Sequence, residues 1–332
     1  FGRIGRTAFK IAVDKFSDQL EIIAINDLGD PKTLAHLLKY DSNYGIWRHE
    51  IKSDEKSILV DQKVYQVFNE KEPEKLPWKN LGVDVVIEST GIFTDSGGAK
   101  KHIQAGAKRV VISAPVHEHG AEDIKTYILG VNAAKYSEEE IISNSSCTTN
   151  CIAPVAAVMQ LKFGIIKAMM TTIHSFTADQ NLHDGPHKDL RRARSAPQNI
   201  VPTTTGAAIS TTEVIPDLKG LFDGSAIRVP TPVGSISDFT FLLKKKVTKE
   251  EVNEAFKEVA ANPIFSGILA VTEDPIVSSD IVGRSESAIV DLGLTQVVDG
   301  DMVKVFAWYD NEYGYSNRLV EQVINVGKNL RS

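Results

Sequence analysis

Short β-branched runs alternate with amphipathic stretches through the first half of the chain. Leu20 to Ile25, Val83 to Ile87 and Lys108 to Ile112 read as buried strands, with Pro31 to Tyr40 and Ser96 to Ala105 as helices between them. This rhythm predicts an α/β architecture, parallel strands joined by helical crossovers. Thr7 to Lys15 reads as a further helix, preceded by Phe1-Gly2-Arg3-Ile4-Gly5-Arg6. From Thr171 onward the pattern changes. Runs such as Ser225 to Pro230, Phe239 to Leu243 and Met302 to Trp308 predict a mostly antiparallel sheet. One helix interrupts them, Thr248 to Ala261, opened by a Thr248-x-x-Glu251 capping box. The last segment, Asn311 to Leu330, carries Leu319, Val323 and Val326 near helical spacing.

Composition narrows the class. At roughly 100 to 200 residues per domain, 332 residues fit two domains, and a 42% hydrophobic fraction supplies a core for each. A net charge of −6 gives no footprint for nucleic acid or an anionic membrane as the main ligand. The uncharged stretch Ile141 to Leu161 is long enough to span a bilayer, but Ser143, Asn144, Ser145, Ser146, Thr148, Thr149 and Asn150 exclude that reading. No basic segment followed by an apolar run opens the sequence, which starts at Phe1 and not at Met, so upstream residues are expected. The two cysteines, Cys147 and Cys151, cannot form a disulfide framework, and no Cys/His cluster builds a metal site. Such usage fits the reducing cytoplasm.

Three features carry candidate chemistry. Gly2-x-x-Gly5 at a helix start offers backbone N–H groups to a pyrophosphate, although it equally fits a helix that needs a tight turn. Asp27 closes a strand about 20 residues further on, the place where an acidic side chain takes the ribose hydroxyls of NAD and repels the 2′-phosphate of NADP. Its simpler role is to cap the next turn. The polar segment Ser143 to Cys151 gives way to helical Pro154 to Leu161, which places Cys147 at a helix N-terminus, where the dipole is expected to lower its thiol pKa. Cys151, one turn later, is expected to be a buried and inert thiol. The strand Met169 to Thr177 puts Thr172, His174 and Phe176 on one face, and His174 is the candidate partner of Cys147. Spacing alone leaves it a core histidine almost as often. His36, His49, His102, His117, His119, His183 and His187 sit in charged or loop-like contexts and are expected mostly at the surface.

Phe-Gly-Arg-Ile-Gly-Arg at 1 to 6 and Ser-Cys-Thr-Thr-Asn-Cys at 146 to 151 resemble the phosphorylating glyceraldehyde-3-phosphate dehydrogenase family. The likeness continues in family order at Asp184 to Arg194, Thr204-Thr205-Gly206-Ala207-Ala208, Arg228-Val-Pro-Thr-Pro232 and Trp308 to Tyr315. It implies a Rossmann NAD-binding domain over 1–146, completed by a C-terminal helix at 313–332, and an α+β catalytic domain over 147–312. It also implies a first strand and a first glycine ahead of Phe1, a cytoplasmic homotetramer, and a loop from Ala178 to Ile200 running along a neighbouring subunit.

The same resemblance implies Cys147 as nucleophile and His174 as base, acting through a thiohemiacetal and a thioester that inorganic phosphate releases as 1,3-bisphosphoglycerate. Thr177 and Arg228 match a substrate-phosphate site. Ser146, Thr148, Thr205 and Gly206 match an inorganic-phosphate site, with Arg194 adjoining. For NAD the matching positions are Gly2, Arg3, Ile4, Asp27, Ser113, Asn311 and Tyr315. Lys71-Glu72-Pro73 departs from the Arg-Asp-Pro common in the family, and lysine lacks the planar fork for an adenine-side contact. Two alternatives stay open, an erythrose-4-phosphate dehydrogenase and a non-catalytic binding protein of the same fold. Arg228 and the intact Thr205-Gly206 motif favour the triose phosphate.

Overall fold

A computed structural model describes residues 1–116, 124–328 and 330. His117 and His119, expected at the surface, lie outside the described residues, as does the end of the 313–332 helix. The chain forms two compact units. One comprises Phe1–Lys125, Tyr136–Asn144 and Leu319–Ser332, the other Thr126–Lys135 and Ser145–Arg318.

The first unit opens with α1 (Arg3–Lys15), whose N-cap Gly2 contributes no side chain, and β1 (Ala24–Asn26). Helix α2 (Pro31–Lys39) starts where Asp30 accepts a hydrogen bond from Thr33 N and Pro31 occupies the first helical position. Strands β2 (Ile51–Ser53), β3 (Ser57–Val60) and β4 (Lys63–Phe68) form an antiparallel meander that joins β1 in parallel through Ala24 to Asn26 against Gln66 to Phe68. This meander is absent from the expectation above. The strand expected from Leu20 is shorter, its ladder covering only Ala24 to Asn26. Strand β5 (Val85–Glu88), helix α3 (Ser96–Gln104) and β6 (Arg109–Ile112) make the expected crossover, and β8 (Ile141–Ser143), after the short β7 (Lys125–Thr126), extends the parallel pairing.

The second unit is built on helix α4 (Cys147–Phe163) and a large mixed sheet. Its strands are β9 (Ile165–Ser175), β10 (Val201–Thr204), β11 (Phe222–Val229), β12 (Ser235–Leu243), β13 (Leu269–Thr272), β14 (Ala288–Asp291) and β15 (Met302–Tyr309). Most neighbours are antiparallel, as expected, but β9 runs parallel to β11 and β13 parallel to β14. Helix α5 (Ala207–Val214) follows β10, and α6 (Lys249–Ala260) starts at the Thr248/Glu251 capping box with both reciprocal hydrogen bonds formed. The final helix α7 (Tyr313–Lys328) passes from the second unit to the first at Leu319.

Helix α4 is apolar on nearly every side and is accordingly sunk in the core. Cys151, Val155, Val158 and Met159 pack with Phe239, Phe241, Val303 and Val305 from the sheet. This clamps the helix N-terminus, and with it Cys147, against the end of β9 that carries His174. Gly224 on β11 lies opposite Met170, where a Cβ would come within 2.6 Å of the Met170 carbonyl oxygen. Only glycine lets the strands approach this closely, and four residues on the same register sets Arg228 beside His174.

Candidate active site

Ser145 and Ser146 aim the nucleophile. Ser145 adopts φ +54, a left-handed turn costly for a non-glycine residue, and is held by Ser145 Oγ to Thr149 Oγ1 at 3.0 Å and by the Tyr315 hydroxyl donating to its carbonyl at 2.8 Å. Ser146 is the N-cap of α4, its Oγ accepting from Thr149 N at 3.1 Å. Cys147 is therefore the first helical residue, with the backbone N–H groups of Cys147 and Thr148 directed at its sulfur.

Cys147 Sγ lies 3.4 Å from His174 Nε2. The other ring nitrogen, Nδ1, is 2.6 Å from the Ser175 carbonyl, which can only accept. The proton therefore sits on Nδ1, and the Nε2 lone pair faces the thiol. Tyr309 supports both partners: its hydroxyl bonds Thr148 Oγ1 at 3.0 Å and Thr172 Oγ1 at 2.7 Å, and its ring meets His174 edge-on at 5.9 Å. Thr172 and His174 share the buried face of β9, whereas Phe176 lies beyond the strand and is only half-buried.

Burial disfavours a charge on either partner of this pair. Burial pushes the Cys147 thiol up, against the pull of Arg228, and pushes His174 down to about 3, with Arg228 acting in the same direction. The expected lowering of the Cys147 pKa by the helix end is thus reversed, because the sulfur is enclosed even though the residue as a whole is half-buried. The helix end still offers N–H groups to an oxyanion formed later. Burial drives the fully enclosed Cys151 far up, and it has the character of an inert thiol.

A chain of polar contacts leads outward from His174. Arg228 Nη1 lies 3.1 Å from His174 Nδ1 and donates to the Ser175 carbonyl at 3.2 Å and to Thr177 Oγ1 at 2.8 Å. Thr177 in turn donates to Asp179, which accepts from Arg192 Nη1 at 2.7 Å. Arg192 also reaches Thr203 Oγ1 at 3.0 Å and the Thr204 carbonyl at 3.2 Å. Arg194, expected to adjoin the inorganic-phosphate site, is exposed and pairs with Asp184 at 2.7 Å. Thr205 Oγ1 accepts from Ala207 N, and Gly206 opens α5 with no side-chain cap and open space around its Cα. Ser146 and Thr148 already have hydroxyl partners, Thr149 and Tyr309.

Asn311 is buried, and its Oδ1 accepts from Gly234 N and Ser235 Oγ, both at 3.1 Å. Those two donors fix the amide so that its NH2 is the end left for a ligand carbonyl. In the first unit, Gly2 leaves the N-terminus of α1 without a side-chain cap, and Ile4 is half-buried. Arg3 is turned to Asp41 at 2.9 Å. Gly5 faces the loop after β5, where an added Cβ would meet Ser89 Oγ at 3.2 Å. Asp27 does cap the next turn, accepting from Gly29 N at 2.7 Å. Ser113 ends β6 with its N–H on the Glu88 carbonyl.

His102 corrects the surface expectation. It is buried, with Nδ1 accepting from Trp78 Nε1 at 3.1 Å and Nε2 bonded to Glu88 Oε2 at 2.9 Å. Tyr309, Asp179 and Arg192 were not singled out from the sequence, and Thr172 was placed only on the strand face of His174. Tyr309 falls inside the Trp308 to Tyr315 motif, and alternation along β15 places it inward with Ala307 and Val305. Its hydroxyl partners come from α4 and β9, which no local pattern connects to it.

The chain matches the glyceraldehyde 3-phosphate dehydrogenase NAD binding domain over residues 1–96 and the C-terminal domain of that enzyme over residues 146–311. It is 53% identical over 332 residues to a glyceraldehyde-3-phosphate dehydrogenase of Streptomyces coelicolor, covering 99% of this chain and 97% of the relative. Glyceraldehyde-3-phosphate dehydrogenase 1 of Bacillus subtilis is 49% identical over 330 residues, with 99% and 96% covered. The chloroplastic glyceraldehyde-3-phosphate dehydrogenase GAPA1 of Arabidopsis thaliana is 52% identical over 333 residues, with 100% and 83% covered. These relatives do not favour the tetrose-phosphate or non-catalytic alternatives. With a Rossmann cofactor domain and a catalytic domain both matched, the chain belongs to the NAD-dependent glyceraldehyde-3-phosphate dehydrogenase family.

Proposed function

We propose that Cys147 and His174 oxidise D-glyceraldehyde 3-phosphate to 1,3-bisphosphoglycerate; the observation that carries this reading is the 3.4 Å contact between Sγ and the unprotonated Nε2. As Sγ attacks the aldehyde carbon, the thiol proton passes through Nε2 to the carbonyl oxygen, giving a thiohemiacetal on Cys147. The N–H groups at the start of α4 hold the oxygen as charge develops. His174 Nε2 then takes the hydroxyl proton while the C–H bond breaks with its electron pair, and the carbonyl of a thioester forms. Bound NAD supplies the acceptor for that hydride. Inorganic phosphate attacks the thioester carbon, the C–S bond breaks, and the released thiolate recovers a proton.

Thr177 and Arg228 take the substrate phosphate in this reading, with Asp179 and Arg192 behind them. The uncapped N-terminus of α5 at Thr205 and Gly206, together with Ser146 and Thr148, takes the attacking phosphate. Asn311, its NH2 oriented by Gly234 and Ser235, fixes the carboxamide, and Tyr315 braces the nicotinamide end by holding Ser145 in place. Gly2, Arg3 and Ile4 form the pyrophosphate turn, Asp27 takes the adenosine ribose, and Ser113 stands at the end of β6.

The homotetramer draws support from an open sheet face and the 178–200 loop. Met169 is 62% exposed, Ile200 70% and Leu190 82%, too much apolar surface in one region to leave to water. Light scattering that gives a monomer would refute this. No helix of the described residues is long and apolar enough to cross a membrane; the proposed cytoplasmic location rests on the unpaired cysteines, and cell fractionation tests it. The substrate assignment is tested by initial rates of NADH formation with glyceraldehyde 3-phosphate and erythrose 4-phosphate, each with and without phosphate. Fast, phosphate-dependent turnover of the triose supports it, and preference for the tetrose without phosphate overturns it.

A further inference from the structure

We propose that the buried hydroxyl of Ser235 sets the base and the nicotinamide ring in register with one another, holding the Asn311 amide with its proton and the Ser175 peptide with a lone pair. The proposal rests on the reading that Asn311 takes the nicotinamide carboxamide. It goes beyond that reading because it makes Ser235 and Ser175, which lie outside the sequence motifs that carry the resemblance, positioning residues for hydride transfer.

Oxidation of the thiohemiacetal moves two particles together. His174 Nε2 takes the hydroxyl proton while the electron pair of the C–H bond leaves toward the nicotinamide, so the imidazole and the ring have to be placed relative to each other and not only to the sulfur. Each has its own mounting. His174 and Ser175 end β9. Asn311 follows the end of β15 in a turn fixed by Asp310, whose Oδ1 accepts from Glu312 N at 2.9 Å and Tyr313 N at 2.8 Å, and whose Oδ2 accepts from Gly283 N at 2.8 Å. Strand β12 runs between β9 and β15, antiparallel to both.

Alternation along β12 turns Ser235 inward with Phe239 and Phe241, and its register sets Ser235 opposite Tyr309 at the end of β15. Its hydroxyl spans the two mountings. Ser235 Oγ donates to Asn311 Oδ1 at 3.1 Å and accepts from Ser175 N at 3.2 Å. Gly234 supplies the rest of the joint: its N–H donates to Asn311 Oδ1 at 3.1 Å, and its carbonyl accepts from the Ser175 hydroxyl at 2.8 Å. That hydroxyl has a single proton, so Thr231 Oγ1, 3.0 Å away, donates to it. Gly234 has φ +93, and a Cβ there would lie 2.6 Å from the Ser278 carbonyl oxygen, so only glycine brings both backbone groups to the joint.

Both ends are thereby fixed. At one, the two lone pairs of Asn311 Oδ1 are filled, which leaves the NH2 for the carboxamide oxygen and selects one face of the ring. At the other, the Ser175 carbonyl that holds the His174 Nδ1–H at 2.6 Å belongs to a residue pinned through its N–H and its hydroxyl. Ser175, Ser235 and Asn311 are all buried, so water has no ready access to a broken joint.

The test uses the full-length protein. NAD and ADP-ribose, which lacks the nicotinamide, are titrated by calorimetry, and hydride transfer at saturating NAD is followed in single turnovers of glyceraldehyde 3-phosphate. Ser235→Ala should weaken NAD by about three- to tenfold, the worth of one hydrogen bond, and leave ADP-ribose unchanged, whereas a merely structural role would weaken both alike. Hydride transfer should slow about tenfold or more, because a loosened base and ring meet less often in line. With deuterium in place of the aldehyde hydrogen, wild type should label one face of the reduced ring and Ser235→Ala both. Asn311→Ala should weaken NAD further, again without touching ADP-ribose. Adding Ser235→Ala to Asn311→Ala should leave NAD affinity where it is yet slow hydride transfer several-fold more, through the Ser175 arm.

The proposal is overturned if Ser235→Ala keeps the wild-type ratio of NAD to ADP-ribose affinity, if its hydride transfer stays within about twofold of wild type, or if the double variant is no slower than Asn311→Ala. An Asn311→Ala protein that keeps the wild-type ratio overturns instead the reading of Asn311 itself. Stoichiometric labelling of Cys147 and an unchanged near-UV spectrum separate these outcomes from misfolding. If Ser235→Ala does not fold, Ser175→Ala, which keeps the N–H and loses only the hydroxyl, decides the matter: slowed hydride transfer with unchanged NAD affinity supports the joint, and wild-type rates overturn it.

Discussion

Two buried histidines in this chain, His174 and His102, have almost the same exposure and opposite surroundings. His102 in the first unit is enclosed by a complete set of partners: the Trp78 indole donates to Nδ1, and Nε2 faces the Glu88 carboxylate, whose other oxygen accepts from Thr90 N and Thr90 Oγ1. His174 in the second unit has a carbonyl on Nδ1, a guanidinium beside it, and a thiol on Nε2. A carboxylate partner makes a buried imidazole a satisfied tie between elements. A carbonyl on one nitrogen leaves the other facing the sulfur. Burial does not distinguish a structural histidine from a reactive one; the partner of each nitrogen does.

The sharpest way to break this comparison is to remove each side's defining group and read activity and stability together. Cys147→Ser should abolish turnover, a loss of at least about 10⁴-fold, because an alcohol is a far weaker nucleophile than sulfur. His174→Asn should lower the rate of hydride transfer by about 10²- to 10⁴-fold, with only a small change in unfolding midpoint. Steady-state and stopped-flow rates check both, and a His174 variant within threefold of wild type would contradict the assigned role.

His102→Ala should invert that profile. It leaves Glu88 buried without its partner and should cost about 3–5 kcal/mol of stability in denaturant titration, while turnover per folded molecule stays near wild type. Equal losses of rate in His102→Ala and His174→Asn, with no loss of stability in the former, would erase the distinction drawn here. Tyr309→Phe should fall between the two, with a cost of about 1–3 kcal/mol because Thr148 and Thr172 lose a shared buried partner, and a measurable slowing of acylation.

Smaller effects sharpen the picture at the surface. Thr248→Ala should cost about 1 kcal/mol by removing the capping box of α6 without altering kinetics. His49 is bridged by Asp14 and Asp61 at 2.8 and 2.6 Å, and these contacts raise its pKa against the downward push of burial. A group whose folded pKa is raised adds stability that is fully present below its unfolded value and fades as pH rises through the folded one. The unfolding midpoint of wild type relative to His49→Ala should therefore be highest near pH 5 and converge above pH 8, by a small margin because the aspartates are exposed.

Much of this was legible in the sequence, for identifiable reasons. Periodicity located α1, α2, α3, α6 and the strands around His174, because each buries one face. The capping box at Thr248 was read to the residue. Cys147 and His174 stood out because cysteine is scarce and the flanking motif distinctive. The β2 to β4 meander did not, since its strands are short and half-exposed and carry little alternation. The burial of the Cys147–His174 pair was also hidden, because it depends on how deeply α4 sinks into the sheet. Arg192 was not singled out, since a loop without period gives no rule for which side chain turns inward. His102 looked like a surface residue among lysines, and only the fold brings Trp78 and Glu88 to it.

The central claim is that a thioester on Cys147 links oxidation to phosphate transfer, and a single-turnover experiment without phosphate tests it most directly. Mixing the NAD-loaded protein with glyceraldehyde 3-phosphate should give a rapid burst of NADH close to one equivalent per active site, then near arrest. Added phosphate should release steady turnover, and Cys147→Ser should show no burst. A steady rate from the outset that ignores phosphate, or a burst that survives loss of the Cys147 thiol, would contradict the account.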